Sequence, residues 1–147
     1  MKKVLSIVLV LAMCISCMML ASCGKKNGGE TELTLEQKLS TEWQSTSITV
    51  DGDVYIDFKA DHTFELYQRI GEGAYRLYRG SWGLEGDLLT GRYNDGEEWA
   101  SAYNVETDGD SLTLTSNNST AEKSVYERES IPEEVKNNCI IEVKSNL

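Results

Sequence analysis

"VYIDFKADHTFEL", Val54 to Leu66, places Val54, Ile56 and Phe58 on one side of an extended chain and Tyr55, Asp57 and Lys59 on the other. Past a break at Ala60, Asp61 and His62, Phe64 and Leu66 oppose Thr63 and Glu65 in the same way. A two-residue period is that of a strand. The break leaves room only for a tight hairpin turn, and His62 is predicted at a position that wants residues tolerant of positive φ. The stretch reads as an antiparallel ribbon with one apolar face that must be covered.

The same grammar continues in both directions. Turn signals recur as "DGD" (Asp51 to Asp53), "GEG" (Gly71 to Gly73), "EGD" (Glu85 to Asp87), "NDG" (Asn94 to Gly96), "DGD" (Asp108 to Asp110) and "NNS" (Asn117 to Ser119). With "ADH" they cut Glu42 to Glu129 into eight segments rich in Thr, Tyr, Trp, Val, Ile and Phe. Trp99, Tyr103 and Val105 share a parity, as do Leu112 and Leu114. Short turns make sequential strands antiparallel, and eight of them either close into an up-and-down barrel or fold over as two sheets. Closure removes the edges, and there is no long connection of the kind a Greek key needs. The expected fold is all-β, an eight-stranded antiparallel meander closed as an up-and-down barrel, with short helices before and after.

Those helices are marked by their starts. Thr34 with Gln37 makes a capping box ahead of Leu35, Leu39 and Trp43 at helical spacing. Ser130, Ile131, Pro132 and Glu133 predict a second helix with Ser130 as N-cap. Beyond it, Val135, Cys139 and Val143 fit a helical face while Cys139, Ile141 and Val143 fit a strand. A short helix followed by a ninth strand or an irregular tail is expected.

The front of the chain is of another kind. Lys2 and Lys3 precede an apolar run from Val4 to Leu20, which ends in L-A-S-C at Cys23. That run resembles the lipobox of bacterial lipoproteins, whereas Cys14 follows bulky Met13 and Cys17 lacks the aliphatic residue. The resemblance implies cleavage after Ser22 and lipid on the Cys23 sulfur, two or three acyl chains being what holds a protein stably on a membrane. The chain then divides into a signal peptide (1–22), a lipidated cysteine with a tether (23–34) and a β-domain (35–147). Gly24 to Thr34, with its glycines and charges, has almost nothing to bury. As a flexible coil it spans about 18 Å. An extracytoplasmic protein, anchored to the cell membrane, is expected.

Composition excludes several partners and chemistries. Of 14 Lys and Arg, two leave with the signal peptide, so 12 face 24 Asp and Glu, a net charge of 12 − 24 = −12. Such a surface repels nucleic acid and anionic lipid headgroups. Cys139 is the only thiol left after lipidation, so no internal disulfide is expected, and its simplest reading is a small apolar residue. The single histidine, His62, sits in a turn, and there is no phosphate loop or metal-ligand spacing. No catalytic residue, metal or cofactor is expected. The acidic turns, including Asp95, Glu97 and Glu98, read as hairpin chemistry before they read as calcium sites.

One stretch stands apart. "YRLYRGSW", Tyr75 to Trp82, concentrates aromatic and basic residues in an acidic protein. Tyr75, Arg76, Tyr78 and Arg79 are candidates for surface recognition of a sugar, peptide or carboxylate. The plainer reading pairs the arginines with acids such as Glu65 or Glu72.

The helix before Trp43, the F-x-x-D-x-T-F hairpin of Phe58, Asp61, Thr63 and Phe64, the "GSW" at Gly80 to Trp82 and the run of tight hairpins together resemble the lipocalin-like domains of bacterial envelope lipoproteins. The resemblance implies a cup that often binds a small apolar or amphipathic molecule at its open end, and with no catalytic signature in the chain a non-enzymatic binding protein is the leading expectation. Inward residues are expected to include Ile56, Leu66 and Leu84, and the ligand-binding candidates are Trp43, Phe58, Phe64, Trp82, Trp99 and Tyr103. An eight-stranded barrel has room for either packed side chains or one small ligand, and these residues are bulky enough for the first. The alternative is a structural or adaptor protein that binds another envelope protein through its outer surface.

Overall fold

The computed structural model describes residues 32–47 and 52–142; the segment expected as a signal peptide, Cys23 and most of the expected tether lie outside them. Helix α1 (Leu35–Leu39) is set by the expected capping box: the Gln37 amide donates to Thr34 Oγ1 at 3.2 Å, and the Thr34 amide donates to Gln37 Oε1 at 3.0 Å. Strand β1 (Glu42–Ser45) follows at once, and the Trp43 indole N–H reaches back to the Leu39 carbonyl at 3.0 Å.

The meander then runs β2 (Gly52–Phe58), β3 (Thr63–Ile70), β4 (Tyr75–Glu85), β5 (Leu88–Tyr93), β6 (Tyr103–Thr107), β7 (Ser111–Ser116) and β8 (Lys123–Arg128). Each strand pairs antiparallel with the next, and β8 returns to β1 through Trp43 opposite Arg128 and Ser45 opposite Tyr126. The ring is closed, so the two-sheet alternative falls away. The opening hairpin has the register its alternation demands, with Ile56 opposite Leu66 and Phe58 opposite Phe64. His62 turns it with φ 64°, and Asp61 Oδ1 accepts from the Thr63 amide at 3.0 Å and its hydroxyl at 2.6 Å.

Two departures matter. Strand β2 already includes Gly52 and Asp53, which the sequence assigns to a turn. The sixth segment, read as continuous from Glu97, becomes a strand of the ladder only at Tyr103; residues 97–102 form an excursion between β5 and β6.

The barrel has two apolar faces, an inner and an outer one. Inside lie Leu39, Trp43, Ile56, Phe58, Phe64, Trp82, Leu89, Val105, Leu112 and Leu114, with Leu66, Leu84, Trp99 and Tyr103 packed against them. Large and small residues alternate across this core: a Cβ at Gly80 would overlap the Phe64 ring, and one at Gly91 would overlap the Trp99 indole. Helix α1 lies at the barrel end where β2 finishes, with Leu39 fully buried and the Phe58 amide bonded to the Thr41 carbonyl at 3.1 Å. That end is plugged.

On the outside, Tyr55, Tyr67 and Leu77 would be wet residues of a bare barrel. They are covered by Ile131 and by Val135 of α2 (Glu133–Asn137). The segment is tied down by Glu42, whose carboxylate accepts from the Ile131 amide at 2.8 Å and meets Lys136 Nζ at 2.8 Å. Ser130 is not its cap; Pro132 holds the N-cap position without a side-chain hydrogen bond, because the chain is already turned inward at buried Ile131. The tail then forms β9 (Cys139–Ile141), parallel to Tyr75–Leu77 of β4. Strand β5 pairs only with Gly80–Glu85 of β4, so β9 occupies the edge that β5 leaves vacant.

Candidate functional site

Alternation carries the inner face to the end opposite α1. There it changes character. Beyond Phe64 and Leu66, strand β3 brings Gln68 and Ile70 to the inner side; β4 brings Tyr78 and Arg76, which pair with Leu66 and Gln68. Tyr93 of β5, Tyr103 of β6 and Tyr126 of β8 complete the wall, since Tyr93 lies opposite Gly80, Tyr103 opposite Ser116 and Tyr126 opposite Ser45. All three are packed against the inner core without being fully covered. The mouth is lined by phenols over an apolar floor.

The floor is aromatic and tightly interlocked. Trp99 meets Phe64 at 5.1 Å and Tyr103 at 5.9 Å between ring centroids; Tyr93 meets Phe64 at 5.8 Å and Tyr78 at 6.2 Å. All four contacts are edge-to-face, the geometry that ring quadrupoles favour. At the β3–β4 turn, Gln68, Ile70, Glu72, Arg76, Tyr78 and Ile140 border a groove of about 430 Å³. Ile70 and Ile140 are 66% and 56% exposed, so this lip presents apolar surface to water.

The phenols are held protonated. Burial raises the Tyr93 pKa, helped by Tyr103 and Glu97; burial raises Tyr103, helped by Glu122; and burial pushes Tyr126 up to about 12, helped by Tyr103. At neutral pH each offers an aromatic face and a hydroxyl able both to donate and to accept. Arg76 brings a positive charge to the inner lip and meets Glu142 at 2.6 Å. The arrangement can hold an amphipathic molecule with its apolar part on the rings.

The sequence-derived candidates divide between roles. Trp43, Phe58, Phe64 and Trp82 are 0–4% exposed and fill the plugged half of the barrel. Trp99 and Tyr103 lie where that packing meets the mouth. The recognition strip splits by parity: Arg76 and Tyr78 face the mouth, while Tyr75 and Arg79 face outward. Tyr75 donates to Asp53 Oδ2 at 2.8 Å, lies against Tyr55 and is covered by Arg69, whose guanidinium carbon is 4.8 Å from the ring centre and which also pairs with Asp53. Arg79 pairs with Glu65 at 2.7 Å, the partner expected of it. Burial opposes ionisation of Glu65, but hydrogen bonds from Lys59 and Arg79 outweigh it and hold the carboxyl below its usual range.

Sequence reading missed Tyr93 and Tyr126. The signal was present: continuing the parity of Leu112 and Leu114 across the "NNS" turn pairs Leu112 with Tyr126.

The remaining candidates are structural. His62 Nε2 lies 3.2 Å from Glu36 of α1, and its ring packs 4.8 Å from Trp82 at the plugged end. Asp95 accepts from the Glu97 amide at 3.0 Å, whereas Glu98 pairs with Arg92 at 2.6 Å. Asp108 accepts from the amides of Asp110 and Ser111 within its own turn. Among the described residues no group of His, Cys, Asp and Glu could hold a metal ion.

Compared with known proteins, residues 39–114, which are 76 of 147, match the lipocalin-like domain family. No curated protein matches the chain, and no solved structure does.

Proposed function

The chain belongs to the lipocalin-like domain family, and from that premise we propose that it is a non-enzymatic binding protein, lipid-anchored outside the cytoplasm through Cys23, that holds a small amphipathic molecule in the mouth of its barrel. The mouth carries this reading: Tyr78, Tyr93, Tyr103 and Tyr126 converge over the Trp99 floor and leave aromatic faces and hydroxyls together at an open end. A side-chain wall of that composition stacks on flat or aliphatic surface and orients one polar group. The L-A-S-C run ending at Cys23 supports the anchor.

The test is native mass spectrometry of the protein taken from its own membrane. A discrete mass that departs on denaturation, and that is lost in Tyr103→Ala with Tyr126→Ala, establishes binding at the mouth; a bare polypeptide in the native spectrum refutes it. For the anchor, Cys23→Ala is expected to abolish processing and lipid labelling, and a cleaved, membrane-retained product overturns that part.

A second reading rests on its own observation. Ile140 and Ile141 of edge strand β9 are 56% and 61% exposed, on a strand paired on one side only. An adaptor that docks a partner protein along β9 fits this surface, and it is the reading to pursue if no cargo is found.

A further inference from the structure

Trp99 is held differently from the other large aromatics of the interior. Trp43, Phe58, Phe64 and Trp82 stand on strands of the closed ladder. Trp99 stands on the 97–102 excursion, which β5 holds through the isolated Arg92–Glu98 bridge and two backbone bonds, Trp99 amide to Gly91 carbonyl at 2.9 Å and Tyr93 amide to Glu97 carbonyl at 2.7 Å. Beside it, β5 and β6 pair at only two positions, Leu88 with Asn104 and Leu89 with Tyr103, whereas β2 and β3 pair at seven. This is the thinnest seam of the barrel wall.

The indole fills a slot of its own shape. One face lies on the backbone of Gly91, where no side chain intervenes. Its edges meet Phe64 at 5.1 Å, Phe58 at 6.4 Å and Tyr103 at 5.9 Å. Beside the excursion lies a groove of about 460 Å³, bordered by Ser81 and Gly83 of β4, Thr90 and Arg92 of β5 and Glu98 and Ser101 of the excursion, and reaching Gly91 and Trp99. A glycine at 83 keeps that groove open to within one strand thickness of the slot.

We propose that this seam is a side port, and that the slot behind it binds a planar bicyclic aromatic molecule in place of the Trp99 indole when residues 97–102 swing outward. The exchange is like for like. A flat, uncharged ring system inherits the glycine face and the edge contacts that Trp99 gives up, while the released indole meets a groove bordered by hydroxyls and the Arg92–Glu98 pair. A charged group would find no partner in the slot, and a long acyl chain would not match its flat shape. The slot lies beneath the mouth and shares Trp99 and Tyr103 with it, but its access is through the wall.

Hydrogen exchange read by mass spectrometry on the full chain tests this, with 2-naphthol as the probe. Binding is expected to speed exchange in residues 93–102 at least fivefold and leave β7 unchanged. Bridge partners in an antiparallel pair are about 4.5–5.5 Å apart at Cα, within reach of a disulfide. Arg92→Cys with Glu98→Cys, in a Cys139→Ser background, can therefore lock the seam reversibly. Naphthol affinity, measured by its fluorescence anisotropy, is expected to fall at least tenfold on oxidation and to return with reductant. Equal affinity in the locked and reduced forms overturns the proposal, as does unchanged exchange in 93–102 or no binding of naphthol to the wild-type chain. Binding that ignores the lock but is lost in Tyr126→Ala, which lines the mouth and not the slot, would place the probe at the mouth, leaving that reading intact and the side port refuted.

Discussion

Trp43 and Leu39 offer a quantitative test of the plug. Trp43→Phe removes the indole N–H that donates to the Leu39 carbonyl at 3.0 Å, in a site where both residues are 0% exposed. The carbonyl keeps one partner, the Thr41 amide at 2.8 Å, so the loss is that of a typical buried hydrogen bond, about 1 kcal/mol. The smaller ring leaves a void where the indole's second ring packed, adding about 1–2 kcal/mol. Leu39→Ala, which unplugs the end, is expected to lose about 3–5 kcal/mol. In a domain of this size each kcal/mol lowers Tm by roughly 4 °C, so Trp43→Phe alone should shift it by about 8–12 °C. Because the two residues touch, the double variant should fall short of additivity by about 0.5–2 kcal/mol. Urea unfolding followed by circular dichroism and by the remaining tryptophans measures all three. Full additivity, or a Trp43→Phe loss below about 0.5 kcal/mol, would mean that α1 merely rests on the barrel, and the reasoning from burial would be wrong.

Other outcomes follow from the same geometry. Ile131→Ala, at a residue 3% exposed beneath the outer cover, should destabilise by about 2–5 kcal/mol and expose Tyr55 and Tyr67 to quenchers, which far-ultraviolet and fluorescence melts would register. Burial raises the Tyr126 pKa in the folded state to about 12, so the protonated phenol favours folding; stability should hold below the ordinary tyrosine value of 10.0 and fall between there and pH 12, and a flat stability curve to pH 12 refutes it. Glu65 works in the opposite sense. Its lowered folded pKa stabilises above its ordinary value of 4.5 and is lost as pH falls, so Glu65→Gln should flatten the acid side of the stability curve, measured by urea titration at several pH values.

Much of this was legible in the sequence where local chemistry decides. The Thr34–Gln37 box, the His62 turn and the inward parity of Val54, Ile56 and Phe58 depend on neighbours a few residues apart, and all appear as read. What escaped depends on matching distant segments. "NDGEEW" reads as a tight hairpin feeding a long strand, yet Trp99 leaves the ladder and packs its ring on the side-chain-free Gly91 of neighbouring β5. Tyr55, on the face opposite Ile56 and Phe58, is buried with Tyr67 and Leu77 only because Ile131 and α2, nearly 60 residues beyond Leu77, cover them. The strip at Tyr75 to Arg79 was a case where the available period of two went unused: a strand cannot present Tyr75, Arg76, Tyr78 and Arg79 all to one face.

The seam that closes the ring sets a folding order. Trp43 pairs with Arg128, so the first strand made finds its second neighbour only when the last one arrives. Seven hairpin junctions can form locally and early, but the eighth must join strands more than 80 residues apart, paying the loop-closure entropy in one late step. Until then the chain is a curled sheet with two bare edges, the β1 edge and whichever strand is newest. A nascent or truncated chain ending before Lys123 would carry those edges permanently, and should therefore aggregate by edge pairing instead of persisting as a smaller barrel.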